Sequence, residues 1–292
     1  MVATAMNYRH AFHAGNFADV HKHAVLARIL THLRQKPAAF RVIDSHAGAG
    51  RYDLLAEEAT RGGEWRDGID RLWTRRTKAE AAPVQALLAP YLDVVAACNP
   101  GPDLRCYPGS PMIARHLVRP HDRLIACETE PRAAAQLAAT LRGDPRAKAL
   151  AIDGWTAIGA YVPPKERRGL VFIDPPFEEP ADFTRLSAAL LAAHRKWPTG
   201  IYVAWYPIKT REAPDALARR LQRLSIAKIL RSELVLHASA ADAGLAGSGL
   251  IVVNPPFTLE ADLRVLLPAL GRMLAHASTK PGYRLDWLAG QR

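Results

Sequence analysis

The sequence predicts an α/β protein: a mostly parallel, seven-stranded, Rossmann-like sheet with one small helical insertion. Three observations predict it. Short apolar runs alternate with stretches of helical periodicity along most of the chain. Those runs are apolar at consecutive positions, as strands of a parallel sheet buried on both faces must be. Between residues 52 and 107 the alternation stops, and the apolar positions there contain no β-branched run.

The elements follow in order. Residues 16–35 read as a helix, because Leu26, Ile29, Leu30 and Leu33 share one face; Asn16 can cap it, Asp19 suits its first turn, and Pro37 ends it. Phe40-Arg41-Val42-Ile43-Asp44 is the first strand. The interval 52–107 carries Trp65, Ile69, Leu72 and Trp73, then Val84, Leu87, Leu88, Leu92 and Val95, and ends in Asn99-Pro100-Gly101-Pro102. It reads as a helical insertion subdomain, with residues 1–51 and 108–292 forming the main domain. Further strands are expected at 124–127, 149–152, 170–173, 201–205, 226–236 and 250–253, and helices at 131–142, 182–196, 212–223 and 260–276.

Composition narrows the function classes. With 292 residues, 49% of them hydrophobic and 23% charged, the chain has enough apolar material for one sizeable core and is not globally disordered. No run of about 18 apolar residues suits a membrane span, and the N-terminus lacks the apolar stretch of a signal peptide. Three cysteines, Cys98, Cys106 and Cys127, fit neither a disulfide framework nor a zinc site, and the expectation is a cytoplasmic protein without metal. Lys and Arg exceed Asp and Glu by 39 to 28, a net charge of +11. Such a surplus favours a polyanionic partner, although an Arg-rich composition also follows from a GC-rich genome. Arg61, Arg66, Arg71, Arg75 and Arg76 of the insertion are candidates for phosphate contacts.

The candidate chemistry sits at strand ends. The first strand runs into Asp44-Ser45-His46-Ala47-Gly48-Ala49-Gly50, where a Gly-x-Gly turn lets a nucleoside-bearing ligand approach the backbone. The third small residue of a dinucleotide fingerprint is replaced by Asp53, a poor neighbour for a pyrophosphate. The turn therefore favours a cofactor without phosphates, such as S-adenosyl-L-methionine. Glu128, after the second strand, can accept from both ribose hydroxyls, and Asp153-Gly154, after the third, can reach an adenine edge. Asp174-Pro175-Pro176-Phe177 ends the fourth strand. The exocyclic amine of adenine is a poor nucleophile, its lone pair being delocalised into the ring, and it needs acceptors around it as the nitrogen becomes tetrahedral. Asp174 supplies one and the Pro175 carbonyl another; the prolines stiffen the turn, and Phe177 offers a face on which a base can stack.

Asn254-Pro255-Pro256-Phe257 is an equally good tetrapeptide in isolation. It follows the last strand, which runs antiparallel in a sheet of this kind, so it belongs at the opposite edge. The His-rich segment His10, His13, His21, His23 lacks the i, i+4 spacing of a helical zinc pair. Lys22, one turn before Leu26, lies on the apolar face, either snorkelling or facing anions in a pocket.

Together these residues resemble the RlmJ-type bacterial 23S ribosomal RNA adenine-N6 methyltransferases. The resemblance spans nearly the whole chain and rests on Tyr8-Arg9-His10, His13-Ala14-Gly15-Asn16, Lys22-His23, His46 to Tyr52, Tyr107-Pro108-Gly109-Ser110-Pro111, the Asp174 motif, Trp205-Tyr206-Pro207 and Asn254-Pro255-Pro256. It implies a class I S-adenosylmethionine-dependent methyltransferase that modifies one adenine of 23S ribosomal RNA before subunit assembly is complete. By the same resemblance, Lys22, His23, His46, Ser110, Glu128, Asp153, Gly154 and Asp174 match cofactor positions, Asp174 is also the catalytic residue, and Tyr8, His10 and Phe177 face the substrate. Phe177 stands where the family commonly has tyrosine, which removes a hydroxyl and keeps the stacking face. Two other readings share some of these features: a DNA adenine-N6 methyltransferase, which usually carries a larger target-recognition domain, and a non-catalytic RNA-binding assembly factor, which would not need Asp174 and Glu128 intact.

Overall fold

The computed structural model describes residues 9–76, 81–179, 181–237, 244–276 and 280–290. Helix α1 (Phe17–Arg34) leads into β1 (Arg41–Asp44), and β2 (Arg51–Asp53) follows the glycine turn. Next come α2 (Glu57–Gly62), α3 (Ile69–Arg75), α4 (Ala82–Cys98) and β3 (Cys106–Pro108). The chain continues through α5 (Ser110–Leu117), β4 (Arg123–Cys127), α6 (Pro131–Leu141), β5 (Ala147–Leu150), α7 (Gly154–Tyr161) and β6 (Gly169–Ile173). It ends with α8 (Asp182–Lys196), β7 (Ile201–Ile208), α9 (Glu212–Gln222), β8 (Ile229–Val235), β9 (Gly247–Val253), α10 (Leu259–Leu274) and β10 (Gly282–Ala289).

Eight of these strands, rather than the expected seven, form one sheet in the order β10-β8-β9-β7-β6-β1-β4-β5. Strands β5, β4, β1, β6 and β7 are mutually parallel, and β9 pairs antiparallel with both β7 and β8. The additional strand, β10, pairs antiparallel with β8 at the sheet edge. Its Tyr283, Leu285 and Trp287 alternate with Arg284 and Asp286, the period-two pattern of a half-exposed edge strand rather than the solid apolar run of a central one. The short helices α5 and α7 were also absent from the expectation. Each is only eight residues long, too short for a periodic signal.

Side chains alternate across the sheet. Val42, Leu170, Phe172 and Val203 face one core, packed with α1, α5 and α10. Ile43, Val171, Ile173 and Ala204 face the other, with Leu186 and Leu190 of α8 and Leu217 and Leu221 of α9. Helix α1 is buried on all sides, fourteen of its eighteen residues included, because α4 and α10 pack against it as well as the sheet. The Asn16 side chain accepts from Asp19 N at 2.9 Å and caps the helix. Tyr91, Val94 and Val95 of α4 belong to the same core as α1, and the segment from β2 to β3 is closed at its ends by the β2–β3 ladder, Arg51↔Pro108 to Asp53↔Cys106. Among the described residues, no helix is long and apolar enough to cross a membrane.

Topology separates the two Pro-Pro-Phe turns. Strand β1 lies between β4 and β6, where the chain path switches direction, so the ends of β1, β4 and β6 bring Asp44, Glu128 and Asp174 to one edge. Val253, the end of β9, pairs with Tyr202 and Ile229, near the starts of β7 and β8, so Asn254 lies at the other edge. There Asn254 Nδ2 donates to Pro198 O at 2.7 Å and Gly200 O at 2.8 Å, with φ at 51°. Asn254→Ala loses both bonds and puts at this φ a residue that enters the left-handed region less readily than asparagine. It is expected to cost about 1–3 kcal/mol, read as a Tm lowered by several degrees. Asn254→Gly, relieved of the φ cost, should fall between it and the native protein.

Candidate active site

The edge shared by β1, β4 and β6 opens into a cavity lined by His10, His23, His46, Gly48, Ser110, Glu128 and Asp174, among others. These residues are spread over more than 160 positions of the chain, yet each is delivered by a strand end, a helix start or α1. Gly48 has φ at 59°, and a β-carbon there would lie 2.1 Å from the Tyr52 hydroxyl. The turn therefore requires glycine, and its bare backbone borders the cavity. The Glu128 carboxylate closes the turn from the neighbouring strand, accepting from Gly48 N at 2.8 Å and, through its other oxygen, from Thr129 N and Glu130 N at 2.7 and 2.8 Å.

Beneath this cavity runs a buried chain of charge. Lys22 Nζ lies 2.6 Å from Asp174 Oδ2 and 2.8 Å from Asp19 Oδ1. Asp19 Oδ2 accepts from Gly15 N at 2.7 Å and meets His10 Nε2 at 3.1 Å. The ammonium also lies 5.0 Å from the Trp205 ring centroid, within cation–π range. Burial alone would strip the proton from Lys22, but the two carboxylates outweigh it and raise its pKa. Burial likewise works against ionising Asp19, and there Lys22 and His10 win, holding its pKa well below the ordinary value. At Asp174 burial prevails over Lys22, and the pKa is raised.

Asp44, which the strand-end reading passed over, is 1% exposed, and neither of its carboxylate oxygens has a hydrogen-bond partner. Burial pushes it up to about 7; the Ser110 hydroxyl, close by but outside hydrogen-bonding geometry, opposes the shift, and the nearby Asp174 charge adds to it. An acid that ends an apolar strand beside a glycine turn is the signal that singled out Glu128 and Asp174, and it would have found Asp44 too. His23 and His46 are held neutral by burial, with pKa values lowered to about 3 and about 4. His23 Nδ1 is hydrogen-bonded to the Tyr107 hydroxyl at 2.7 Å, which in turn lies 3.0 Å from that of Tyr91. His46 Nδ1 lies 2.8 Å from Ser45 Oγ, and its ring meets Trp155 edge-on.

Other expected residues stand apart from the cavity wall. Asp153 caps α7, its Oδ2 accepting from Thr156 N at 2.8 Å and Thr156 Oγ1 at 2.9 Å. Gly154 packs under His46, and a β-carbon there would meet Ser45 O at 2.2 Å. Phe177, at φ 52°, is half-buried against Phe183 and meets Trp205 edge-on. Tyr8 lies outside the described residues. Of the insertion arginines, Arg71 donates to Leu274 O, and Arg75 donates to Arg272 O and Met273 O, so both bind the C-terminal end of α10. Arg76 stacks over Trp73 at 3.6 Å, whereas the Arg61 side chain is 70% exposed. Among the described residues no group of three or more His, Cys, Asp or Glu is arranged to hold a metal ion.

Two stability measurements check this electrostatic account. Lys22→Met strands two buried carboxylates and is expected to destabilise the fold by about 3–5 kcal/mol at neutral pH. In that variant both acids acquire raised folded-state pKa values, so the deficit narrows as pH falls toward 4 and they protonate. Asp44→Asn tests the opposite case. A carboxyl with its folded pKa raised to about 7 loses stability as pH climbs from its unfolded value, near 3.9, to about 7. The variant's Tm should therefore gain on the native protein across that window, and a pH-independent difference would refute the assignment.

Comparison with known proteins places this geometry. Residues 37–289 match the family model described as "Ribosomal RNA large subunit methyltransferase D, RlmJ". The chain is 39% identical over 274 residues to ribosomal RNA large subunit methyltransferase J of Escherichia coli K12, covering 94% of this chain and 96% of that protein. It is 36% identical to the protein of the same name from Haemophilus influenzae, covering 97% and 99%. A crystal structure of a Legionella pneumophila protein superimposes with a TM-score of 0.86 at 31% identity, covering 94% of this chain and 98% of that one. A match of this extent, together with the strand-end acids around one glycine turn, shows that the chain belongs to the RlmJ family of ribosomal RNA large subunit methyltransferases.

Proposed function

We propose that the protein methylates the N6 amine of one adenine in 23S ribosomal RNA, with S-adenosyl-L-methionine as methyl donor. The observation that carries this reading is the meeting of Asp174 with Gly48 and Glu128 around a single cavity. The donor set suits the cofactor. Gly48 and its neighbours bring bare backbone to the cavity, Glu128 stands where ribose hydroxyls need an acceptor, and the orphaned Asp44 carboxylate suits the ammonium of the methionine moiety. Bound there, S-adenosylmethionine supplies an electrophilic methyl group.

This chain's residues do the rest. Lys22 holds Asp174 Oδ2, fixing the carboxylate while its Oδ1 accepts from the target amine. That acceptor and the Pro175 carbonyl orient the nitrogen lone pair, and most of the rate comes from this positioning. The raised pKa of Asp174 suits it to take the proton released as the new bond forms. The base must be unpaired or flipped out to reach the site; Phe177, one residue beyond the cavity-lining Pro176, is assigned to stack on it once it turns from Phe183, and His10 and Tyr8 are assigned to substrate binding. Arg9, Arg51 and Arg132 border the same cavity and offer charge to the flanking phosphates. Residues 52–107 serve as the insertion subdomain, with Arg61 and Arg66 better placed for RNA than Arg75. The RNA is met before subunit assembly completes, while the base is still accessible, and the protein acts in the cytoplasm without metal.

Nucleoside mass spectrometry of ribosomal RNA from wild-type and deletion strains tests the reading directly: one N6-methyladenosine should disappear. In single-turnover assays, Asp174→Ala is expected to slow transfer by at least 10²–10³, about the loss on removing one preorganised group, while Asn254→Ala stays within a few-fold. The reverse pattern would place the reaction at the wrong edge of the sheet. Glu128→Ala should weaken donor binding roughly ten- to hundred-fold, by calorimetry. RNA affinity should fall steeply between low and physiological salt. Arg61→Ala should raise the RNA KM, whereas Arg75→Ala should act on thermal stability.

A further inference from the structure

Behind the β2–β3 ladder a second, open cleft of about 880 Å3 is lined by Arg51, Cys98, Asn99, Arg105 and Cys106. Asn99 fastens β3 to the end of α4. Its Nδ2 donates to Val95 O and Cys106 O, both at 2.8 Å, and its Oδ1 accepts from Arg105 N at 2.8 Å and Cys106 N at 2.9 Å. This clamp ties the backbone of Cys106 to the residue that follows Cys98, the last residue of α4, and both cysteines line the same cleft. Arg51 Nε donates to Cys106 Sγ at 3.1 Å. Two thiols and a guanidinium thus meet on the wall of a cleft that a small solute can enter.

The geometry points to a function the methyl-transfer reading does not use: we propose that Cys98 and Cys106 form a peroxide-reactive dithiol, with Cys106 as the nucleophile and Cys98 as its resolving partner. The Cys106 thiol is pulled down to about 6, first by its hydrogen bond with Cys98 and, against burial, by Arg51. Cys98 is raised, by the same hydrogen bond and by burial, and keeps its proton. A thiolate next to a cation in a reachable cleft is the reactive kind. The Cys106 sulfur attacks one oxygen of hydrogen peroxide, the O–O bond breaks, and hydroxide leaves with a proton as water, giving a sulfenic acid at Cys106. The Cys98 sulfur then attacks that sulfur, the S–O bond breaks, and a second water leaves. The two sulfurs give up two electrons, the peroxide accepts them, and a disulfide remains.

The modification reaches the candidate active site through Arg51 and β3. Arg51 borders both the cleft and the cavity, and a disulfide sulfur no longer offers it an anionic acceptor. Tyr107, next to Cys106, holds His23, and Ser110 lies three residues beyond Tyr107 on the same strand-to-helix segment. Oxidation is therefore expected to raise the KM for S-adenosylmethionine several-fold, reversibly with dithiothreitol.

Intact-mass and peptide mass spectrometry of the native protein, titrated with hydrogen peroxide and quenched with catalase, tests the site without reference to activity. A loss of about 2 Da, mapped to a Cys98–Cys106 linkage, is expected. Cys98→Ser should trap Cys106 as a sulfenic acid that reacts with dimedone, and Cys106→Ser should leave Cys98 reduced. Failure of the pair to oxidise, trapping at Cys98 instead, or a linkage to Cys127 would overturn the proposal. An unchanged donor KM in fully oxidised enzyme would overturn its coupling to the cavity.

Discussion

The ammonium of Lys22 is the charge around which the rest is arranged. It is 4% exposed and ion-paired with two carboxylates, one from its own helix and one from a strand end some 150 residues later. An isolated ammonium or carboxylate at that depth costs several kcal/mol, and removing one partner leaves the others uncompensated. Lys22 therefore fixes where Asp174 can be, and Asp174 in turn fixes the register of α1 against β6. His10 extends the same chain of charge to the segment before α1 through Asp19, so the wall of the cavity and the buried ions beneath it form one structure.

That arrangement requires α1 to be buried on every side. A helix with water along one face would solvate Lys22 and weaken its hold on Asp174. Helix α4 supplies the missing cover: it packs on α1 and α10, and its Tyr91 extends the hydrogen-bonded line that runs from His23 through Tyr107. The β2–β3 ladder then returns the chain to the glycine turn, where the Tyr52 hydroxyl accepts from Ala49 N at 3.1 Å. Residues of α3 and α4 thus belong to the cavity's support and share its hydrophobic core.

Much of the fold was legible because its elements are written in local periods. Apolar runs at 124–127, 170–173 and 250–253 became β4, β6 and β9, and the helices expected at 131–142, 182–196, 212–223 and 260–276 formed within two residues of those limits. Strand β10 escaped notice because its alternating pattern is that of an edge, and α5 and α7 because two turns leave no period to detect. The strand-end rule placed Glu128 and Asp174 at one edge, and antiparallel β9 sent Asn254 to the other. Five arginines in the insertion look alike in the sequence, but only the packed structure divides them, because the open carbonyls at the end of α10 bind Arg71 and Arg75 and leave Arg61 in solvent.

By itself the sequence determined the layering, the glycine turn and which carboxylates end parallel strands, since each depends on the spacing of neighbouring residues and on backbone sterics. Only the tertiary structure decided which of those groups carry charge and whom they meet. Lys22 reads equally well as a snorkelling lysine or a pocket lysine; Asp44, an unremarked strand end, became a buried acid without a hydrogen bond; and of three scattered cysteines, Cys98 and Cys106 came to line one cleft. Ionisation depends on burial and on opposite charges a few ångströms away, and those distances are set by contacts between residues far apart in the chain, which no local pattern encodes.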